Sequence, residues 1–231
     1  MPSVTNVEII FSLGPLDAFS HWFSTTTLPV LQRVIAISSM STVSKVESPD
    51  PWERTVSARL VASEQQLIGE CNKRHCRWTI FRPTLIYGAG LDKSLTSIAR
   101  FAQSYRCLAI PLGASGLRQP VHADDLAWAC QRVIDEPSTW NRTYQLGGGE
   151  RLRFDTMLQR IRASIPNVVI PLRVPSSALR LASYMFSQSI SQAALARLSS
   201  DLIADNQDAK NDFGFTPRPF MPDVECWTLQ Q

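Results

Sequence analysis

Three short runs constrain this chain more than any other feature: Val7 to Phe11 (VEIIF), Val34 to Ile37 (VIAI) and Trp78 to Phe81 (WTIF). Each is apolar on both faces, too short for a helix, and followed by turn or helix signals. A strand that is apolar on both faces needs cover on both faces, which is the condition of a parallel sheet flanked by helices. Parallel neighbours in turn require crossover connections, and helix-like sequence follows each run. The expected class is therefore α/β, a doubly wound parallel sheet.

The clearest helix start lies in SPDPWERTVSARLVASEQQLIGEC, with Asp50 as N-cap, Pro51 at the first helical position and Glu53 three residues after the cap. Val56, Leu60, Val61, Leu67 and Ile68 predict one apolar face over about four turns. After the third run the chain passes through Pro83 to a glycine turn, YGAG, and a helix from about Ser94 to Tyr105. Beyond it, LAIPLGASGLRQPVHADDLAWACQRVID predicts an extended segment, a loop and a helix with Asp124 or Asp125 near its start. YQLGGGERLRFDTMLQRI predicts a strand, a glycine turn and a helix, and Pro175 to Asp205 has a helical pattern. This divides the chain into a core of later sheet strands over residues 1–88 and a mixed region over 89–231. The second region is mainly a smaller helical lobe, with one further core strand near 143–146.

Composition narrows the partners. The 231 residues are 44% hydrophobic, enough for a sizeable core, and the net charge is only +3. No basic stripe interleaves with aromatics, so neither nucleic acid nor an acidic membrane surface is an expected partner. No apolar stretch approaches the roughly 18 residues of a spanning helix, and Glu8 interrupts the only apolar run near the start. Five cysteines, an odd number scattered through apolar segments, suit a reducing compartment, and the expected location is the cytoplasm. Cys71 and Cys76 bracket His75 but lack a second ligand pair, so no metal site is expected there.

Four stretches, in order, resemble the extended or atypical short-chain dehydrogenase/reductases, the group of NAD-dependent epimerases and dehydratases acting on nucleotide sugars. They are VIAISSMSTVS, RPTLIYG at 82–88, LRQPVHADDLA at 117–127 and YQLGGGERLRFDTML at 144–158. The resemblance implies an incomplete Rossmann-like sheet with a C-terminal substrate lobe, NAD or NADP as cofactor, and a small-molecule substrate of the nucleoside-diphosphate-sugar class. By motif order, Val7 to Phe11 matches the family's fourth strand, so the chain is expected to begin in the middle of the fold. Its first strand would then be an open edge, leaving a homo-oligomer as one way to pair it.

The resemblance also assigns roles. Ser12, Leu13 and Gly14 would pass close to the cofactor ribose, Ser38 would border it, and Pro83, Thr84 and Leu85 would border the nicotinamide. The family's strand-end hydroxyl falls on Met40, with Ser39 and Ser41 one step to either side as the catalytic candidates. An ordinary strand ending, with Ser38 to Thr42 satisfying local backbone, is the competing reading. Arg118 would read a substrate diphosphate through its fixed, always charged fork. His122, in the same spacing, is either a substrate contact or a structural histidine. Asp125 either belongs to this pattern or caps the next helix.

Two family features are missing. No G-x-G-x-x-G spacing lies at a strand–helix junction, and Gly147 to Gly149 are expected only to hand a strand over to a helix. The four tyrosines, Tyr87, Tyr105, Tyr144 and Tyr184, are followed four residues later by Leu91, Ala109, Gly148 and Gln188, so no Y-x-x-x-K exists. The helix carries apolar Val56 and Leu60, or their neighbours, where that pair belongs. Arg59 beside them could grip a ribose or phosphate but cannot shuttle a proton at neutral pH. The expected function is an NAD(P)-dependent epimerase-, dehydratase- or reductase-like protein, with a non-catalytic binding or assembly module, or a truncated inactive family member, as the alternative.

Overall fold

A computed structural model describes residues 6–175, 178 and 198–228. The helical pattern read between Pro175 and Asp205, with Tyr184 and Phe186, lies largely outside the described residues. In chain order the first elements are β1 (Ile9–Ser12), α1 (Leu16–Thr25), β2 (Arg33–Ile37), α2 (Ser41–Ser44), α3 (Pro51–Lys73), β3 (Arg77–Pro83), β4 (Ile86–Tyr87) and α4 (Leu95–Tyr105). Then come β5 (Cys107–Leu112), β6 (Leu117–Arg118), β7 (Val121–His122), α5 (Ala123–Arg132), β8 (Arg142–Leu146), β9 (Leu152–Arg153), α6 (Phe154–Ala163), β10 (Ile170–Pro175) and α7 (Gln207–Phe213).

The chain forms two compact units: residues 1–83, 126–146 and 205–216 in the first, and 84–125, 147–204 and 217–231 in the second. The first is built on a four-stranded parallel sheet of order β1-β2-β3-β8. All three runs singled out above lie side by side and parallel, with Ile10 beside Val34, Ile35 beside Thr79 and Ala36 beside Ile80. Among the described residues β1 is an edge of this sheet, and contrary to the reading of VEIIF it is not covered on both faces, since Ile9 and Phe11 are exposed.

Alternation along the strands divides the core of this unit. Val34, Ala36, Trp78 and Ile80 meet Leu16 and Phe23 of α1 and Leu67 and Cys71 of α3 on one face. On the other, Phe81 lies 6.2 Å from Tyr144 and 6.0 Å from Phe213 of α7, ring centre to ring centre. Tyr144 meets Phe213 edge-on at 5.3 Å, and its hydroxyl donates to Asp212 Oδ2 at 2.6 Å, pinning α7 to β8. Ile35, Ile80 and Phe81 are fully enclosed, and each such side chain contributes about 2 kcal/mol by leaving water.

The start of α3 is as read: the Asp50 carboxylate accepts from the Trp52 N–H at 2.9 Å, with Pro51 next in line. Glu53 does not complete a capping box; it accepts from the Ser48 hydroxyl at 2.6 Å. The predicted apolar face also needs correction. Val56, Leu60 and Val61 are only half-buried, while Glu53, Ser57, Ser63 and Glu64 are buried with Leu67 and Cys71. The first half of α3 lies against partners that bond to polar side chains, so burial there follows hydrogen bonding and not hydropathy.

In the second unit α4 and α6 close over β5, and Leu95, Ala99, Leu108, Ile110, Met157, Leu158 and Ile161 form one core with Tyr87, Phe220 and Trp227. β5 pairs with β10 and β4 with β7, both parallel, whereas β6 and β9 are antiparallel. The two glycine turns have steric causes. Gly88 has φ +107°, and a Cβ there would lie 2.2 Å from His122 Nε2. A Cβ on Gly148 would lie 1.9 Å from the Pro120 carbonyl oxygen, and one on Gly149 2.2 Å from that of Pro217.

Candidate functional site

In the first unit the carboxyl ends of the parallel strands carry most of the residues singled out above. β1 ends at Ser12, β2 runs into Ser38, and β3 ends at Pro83. The Ser38 N–H donates to the Phe81 carbonyl at 2.7 Å and the Met40 N–H to that of Pro83 at 2.9 Å, so the hydroxyl-rich segment is stitched to the end of β3. Met40 is 5% exposed and serves as packing.

The four hydroxyls are used differently. Ser38, buried, donates to the Glu64 carboxylate. That carboxylate is also gripped at both oxygens by Arg82, with Nε at 3.0 Å. Ser39 Oγ accepts from the Ser41 N–H at 3.1 Å and donates to Ser41 Oγ at 3.2 Å, while Thr42 returns its proton to the Ser39 carbonyl at 2.9 Å. This is a local serine turn of the kind the competing reading describes. It nevertheless ends in one available group: the half-buried Ser41 hydroxyl accepts from Ser39, and its own proton has no acceptor among the described residues.

Open space adjoins this edge. Leu13 is 67% exposed, and a Cβ built on Gly14 would find nothing within 4 Å. Gly14 is outside the left-handed region, so neither backbone nor packing requires glycine there. Arg59 is exposed on α3 and pairs with Asp17 of α1 at 3.4 Å. Glu64 and Arg82 are the site residues that sequence reasoning missed. Arg82 stands within the quoted RPTLIYG motif and could have been flagged there, while Glu64 sat unremarked on a helix read for its apolar face.

The second unit holds the remaining candidates. Thr84 is buried and donates to the Gln119 carbonyl, and the Leu85 carbonyl accepts from the Val121 N–H at 2.9 Å. Arg118 is 5% exposed; its Nη1 donates to the carbonyls of Leu117 at 2.8 Å and Ser200 at 2.7 Å, and its guanidinium lies 5.0 Å over the Phe154 ring. His122 Nδ1 accepts from the Asp124 N–H at 3.1 Å, assigning the ring proton to Nε2, which faces Cys226 Sγ at 4.0 Å. Burial, with Arg218 nearby, holds the imidazole below its usual range and so neutral. Tyr87 crosses His122 edge-on at 4.9 Å. Its buried hydroxyl has no partner among the described residues, and burial raises its pKa. Asp125 does not cap α5 but binds the N–H and Nε of Arg218 at 3.0 and 2.9 Å.

Comparison with known proteins finds nucleotide-sugar epimerases among the matches. UDP-glucose 4-epimerase of Vibrio cholerae is 23% identical over 157 residues, covering 67% of this chain but only 46% of that enzyme's length. An epimerase from Methanothermobacter thermautotrophicus superposes with a TM-score of 0.68 at 12% identity, over 95% of this chain and 70% of the other. UDP-glucuronic acid 4-epimerase from Bacillus cereus, solved in complex with NAD, gives 0.66 at 12% identity, over 95% and 72%. No protein-family model matches the chain. This is the epimerase/dehydratase fold. The group reached through the fold is the one that the sequence motifs resemble.

The residues fit one part of a dinucleotide. Hydroxyls at the strand ends and open space over Gly14 are compatible with a riboside, whereas Met40 is buried and presents no face to one. The pyrophosphate is not matched: the Gly-rich turn is absent from the sequence, and the Gly148 and Gly149 positions are filled by neighbouring backbone.

Proposed function

We propose that this chain binds the nicotinamide end of NAD or NADP at the carboxyl edge of its parallel sheet, together with a nucleoside-diphosphate sugar, as a non-turnover relative of the nucleotide-sugar epimerases and dehydratases. The observation that supports this reading is the open space over Gly14 after β1, together with the Ser41 hydroxyl after β2, which accepts from Ser39 and has no acceptor among the described residues. Bound there, such a cofactor would supply hydride chemistry. The chain itself orients and shields. Ser12, Leu13 and Gly14 line the ribose, Ser39 positions Ser41, Ser41 donates to the ligand, and Pro83 bounds the ring. Ser38 acts through Glu64 and Arg82 to fix the segment, and Arg59 meets the outer phosphate or ribose. On the substrate side the reading assigns the diphosphate to Arg118 and a positioning role to the neutral His122. Val56 and Leu60 cannot move a proton, which is why binding and not turnover is proposed.

Titration with NADH and NADPH, followed by reduced-cofactor fluorescence, tests the cofactor half. Saturable enhancement is expected with at least one of the two, and Gly14→Leu should fold normally while abolishing it. No saturable signal with either cofactor, or unaltered binding by Gly14→Leu, contradicts the proposal. For the substrate half, Arg118→Lys keeps the charge but loses the fork, and it should weaken UDP binding; equal affinity removes Arg118 from the site.

A further inference from the structure

Charge is distributed unevenly in the second unit. Residues 93–123 and 156–175 contain α4, β5, β10 and most of α6. They hold seven of the chain's 23 Lys and Arg and none of its 20 Asp and Glu. A molecule close to balance overall is therefore one-sided here, and such a surface attracts anions. Arg106 and Arg173 are exposed and form no ion pair among the described residues, and Arg100, also exposed, donates to the Gly90 carbonyl at 2.9 Å. Carboxylates outside the two segments have other duties. Asp92 accepts from the Ser94 and Thr96 N–H groups at 3.0 and 3.1 Å, and Glu150 holds Arg160. Glu225, on the short turn Glu225–Trp227, is an acidic neighbour of α4.

An independent observation is the apolar surface among these cations. Phe101 and Tyr105, one turn apart on α4, are both exposed, with ring centres 4.6 Å apart. The next residue, Arg106, accepts at its carbonyl from the Ile170 N–H at 2.9 Å, so the end of α4 adjoins the start of β10. Val168 is 83% exposed and Ile170 59%, and Leu172 is exposed beside exposed Ala109 of β5. The far edge of β10 has no strand partner among the described residues. Because the Ile170 N–H points to β5, alternation turns positions 171, 173 and 175 to that far edge. Pro171 and Pro175 have no N–H to offer there, so this edge is poorly made for another strand. The apolar side chains need cover of a different kind.

We propose that this face docks on an anionic phospholipid bilayer, with Phe101, Tyr105, Val168, Ile170 and Leu172 entering the headgroup boundary and Arg106 and Arg173 meeting lipid phosphates. The cations select the sign of the lipid, and the apolar side chains supply the anchoring that a charged surface alone lacks. Nucleic acid fits less well: a single strand needs a cationic track with rings free for bases, whereas here three aliphatic side chains stand beside two rings already packed on each other. No helix among the described residues is long and apolar enough to cross a membrane, so the contact is interfacial. The sequence reading expected no acidic membrane surface as a partner, because RFAQSYR at 100–106 and IPLR at 170–173 become one surface only when β10 meets the end of α4.

Flotation of the full chain with vesicles of phosphatidylcholine, with and without one third phosphatidylglycerol, tests this. The expected result is flotation with the anionic vesicles, little with phosphatidylcholine alone, and weakening as salt is raised. Replacing both arginines, Arg106→Gln with Arg173→Gln, should lower affinity for the anionic vesicles about 25-fold. Tyr105→Ser with Ile170→Ser, which keeps every charge, should lower it about tenfold or more. All four positions are exposed, and circular dichroism should show both variants folded like the native chain. No flotation with anionic vesicles, or equal flotation with both kinds, overturns the proposal on the native chain alone. Native affinity in either folded double variant also overturns it. Two further outcomes reassign the face. A single-stranded oligonucleotide that displaces the vesicles and binds the Tyr105/Ile170 variant undiminished gives it to nucleic acid, and a dimer lost in that variant without vesicle binding gives it to a second copy of the chain.

Discussion

Glu64 shows how much a single side chain can organise at the strand ends. It is buried, accepts from Ser38, and holds Arg82 at both oxygens, so Glu64→Ala would strand a partly buried guanidinium and free the Ser38 hydroxyl. Removing one partner of a buried pair costs about 3 kcal/mol. Urea unfolding should show a loss near that size for Glu64→Ala, with a much smaller one for Glu64→Gln, which retains a hydrogen-bond acceptor. His122 adds a pH dependence of definite sign. Its folded pKa lies below the ordinary 6.5 because of burial and Arg218, so the unfolded chain binds the proton more readily. Its contribution is complete above about pH 6.5 and is lost as pH falls from there toward the lower folded value. Thermal unfolding from pH 7.5 to 5 should show this decline, and His122→Gln should flatten it. Ser38 and Ser39 were visible in the sequence as hydroxyls, but their different duties were not. Glu64 lies 26 residues from Ser38 and 18 from Arg82 along the chain, and no local pattern joins them.

At the scale of elements, the three core strands were legible as short apolar runs between turn signals, although Arg33 and Thr79 are buried within β2 and β3 and Ile9 and Phe11 stay exposed on β1. β8 was legible from YQLGGG, since a strand that runs into glycines announces its own end. The buried side of α3 was not. Hydropathy points to Val56, Leu60 and Val61, whereas the described packing buries Glu53, Ser57 and Glu64, because the hydroxyls and the guanidinium they meet reward polar atoms there. The glycine turn at 147–149 reads in the sequence as a strand-to-helix handover, and its steric cause became visible only with the backbone of Pro120 and Pro217 beside it. Gly148→Ala therefore tests the packing account: its methyl would enter space held by a rigid carbonyl. The second unit should lose about 1–3 kcal/mol, read as a lower midpoint in denaturant. Gly14→Ala, with nothing to strike, should be unchanged within about 0.5 kcal/mol.

For the whole molecule, the fold class came from short apolar runs alternating with helix signals, and the family resemblance from the order of the motifs. The composition of the two compact units is less accessible to sequence. The first recruits residues 126–146 and 205–216 from far along the chain, and its α7 is recognisable only through Phe213 against Tyr144 and Phe81. The central proposal is that the carboxyl edge of the β1-β2-β3-β8 sheet is a ligand seat. Hydrogen–deuterium exchange of the native chain with and without saturating NADH and NADPH tests it most directly. The account predicts slower exchange at residues 12–14 and 38–42 with at least one cofactor, and none at 107–112. Unchanged exchange at both strand-end segments with either cofactor would contradict it.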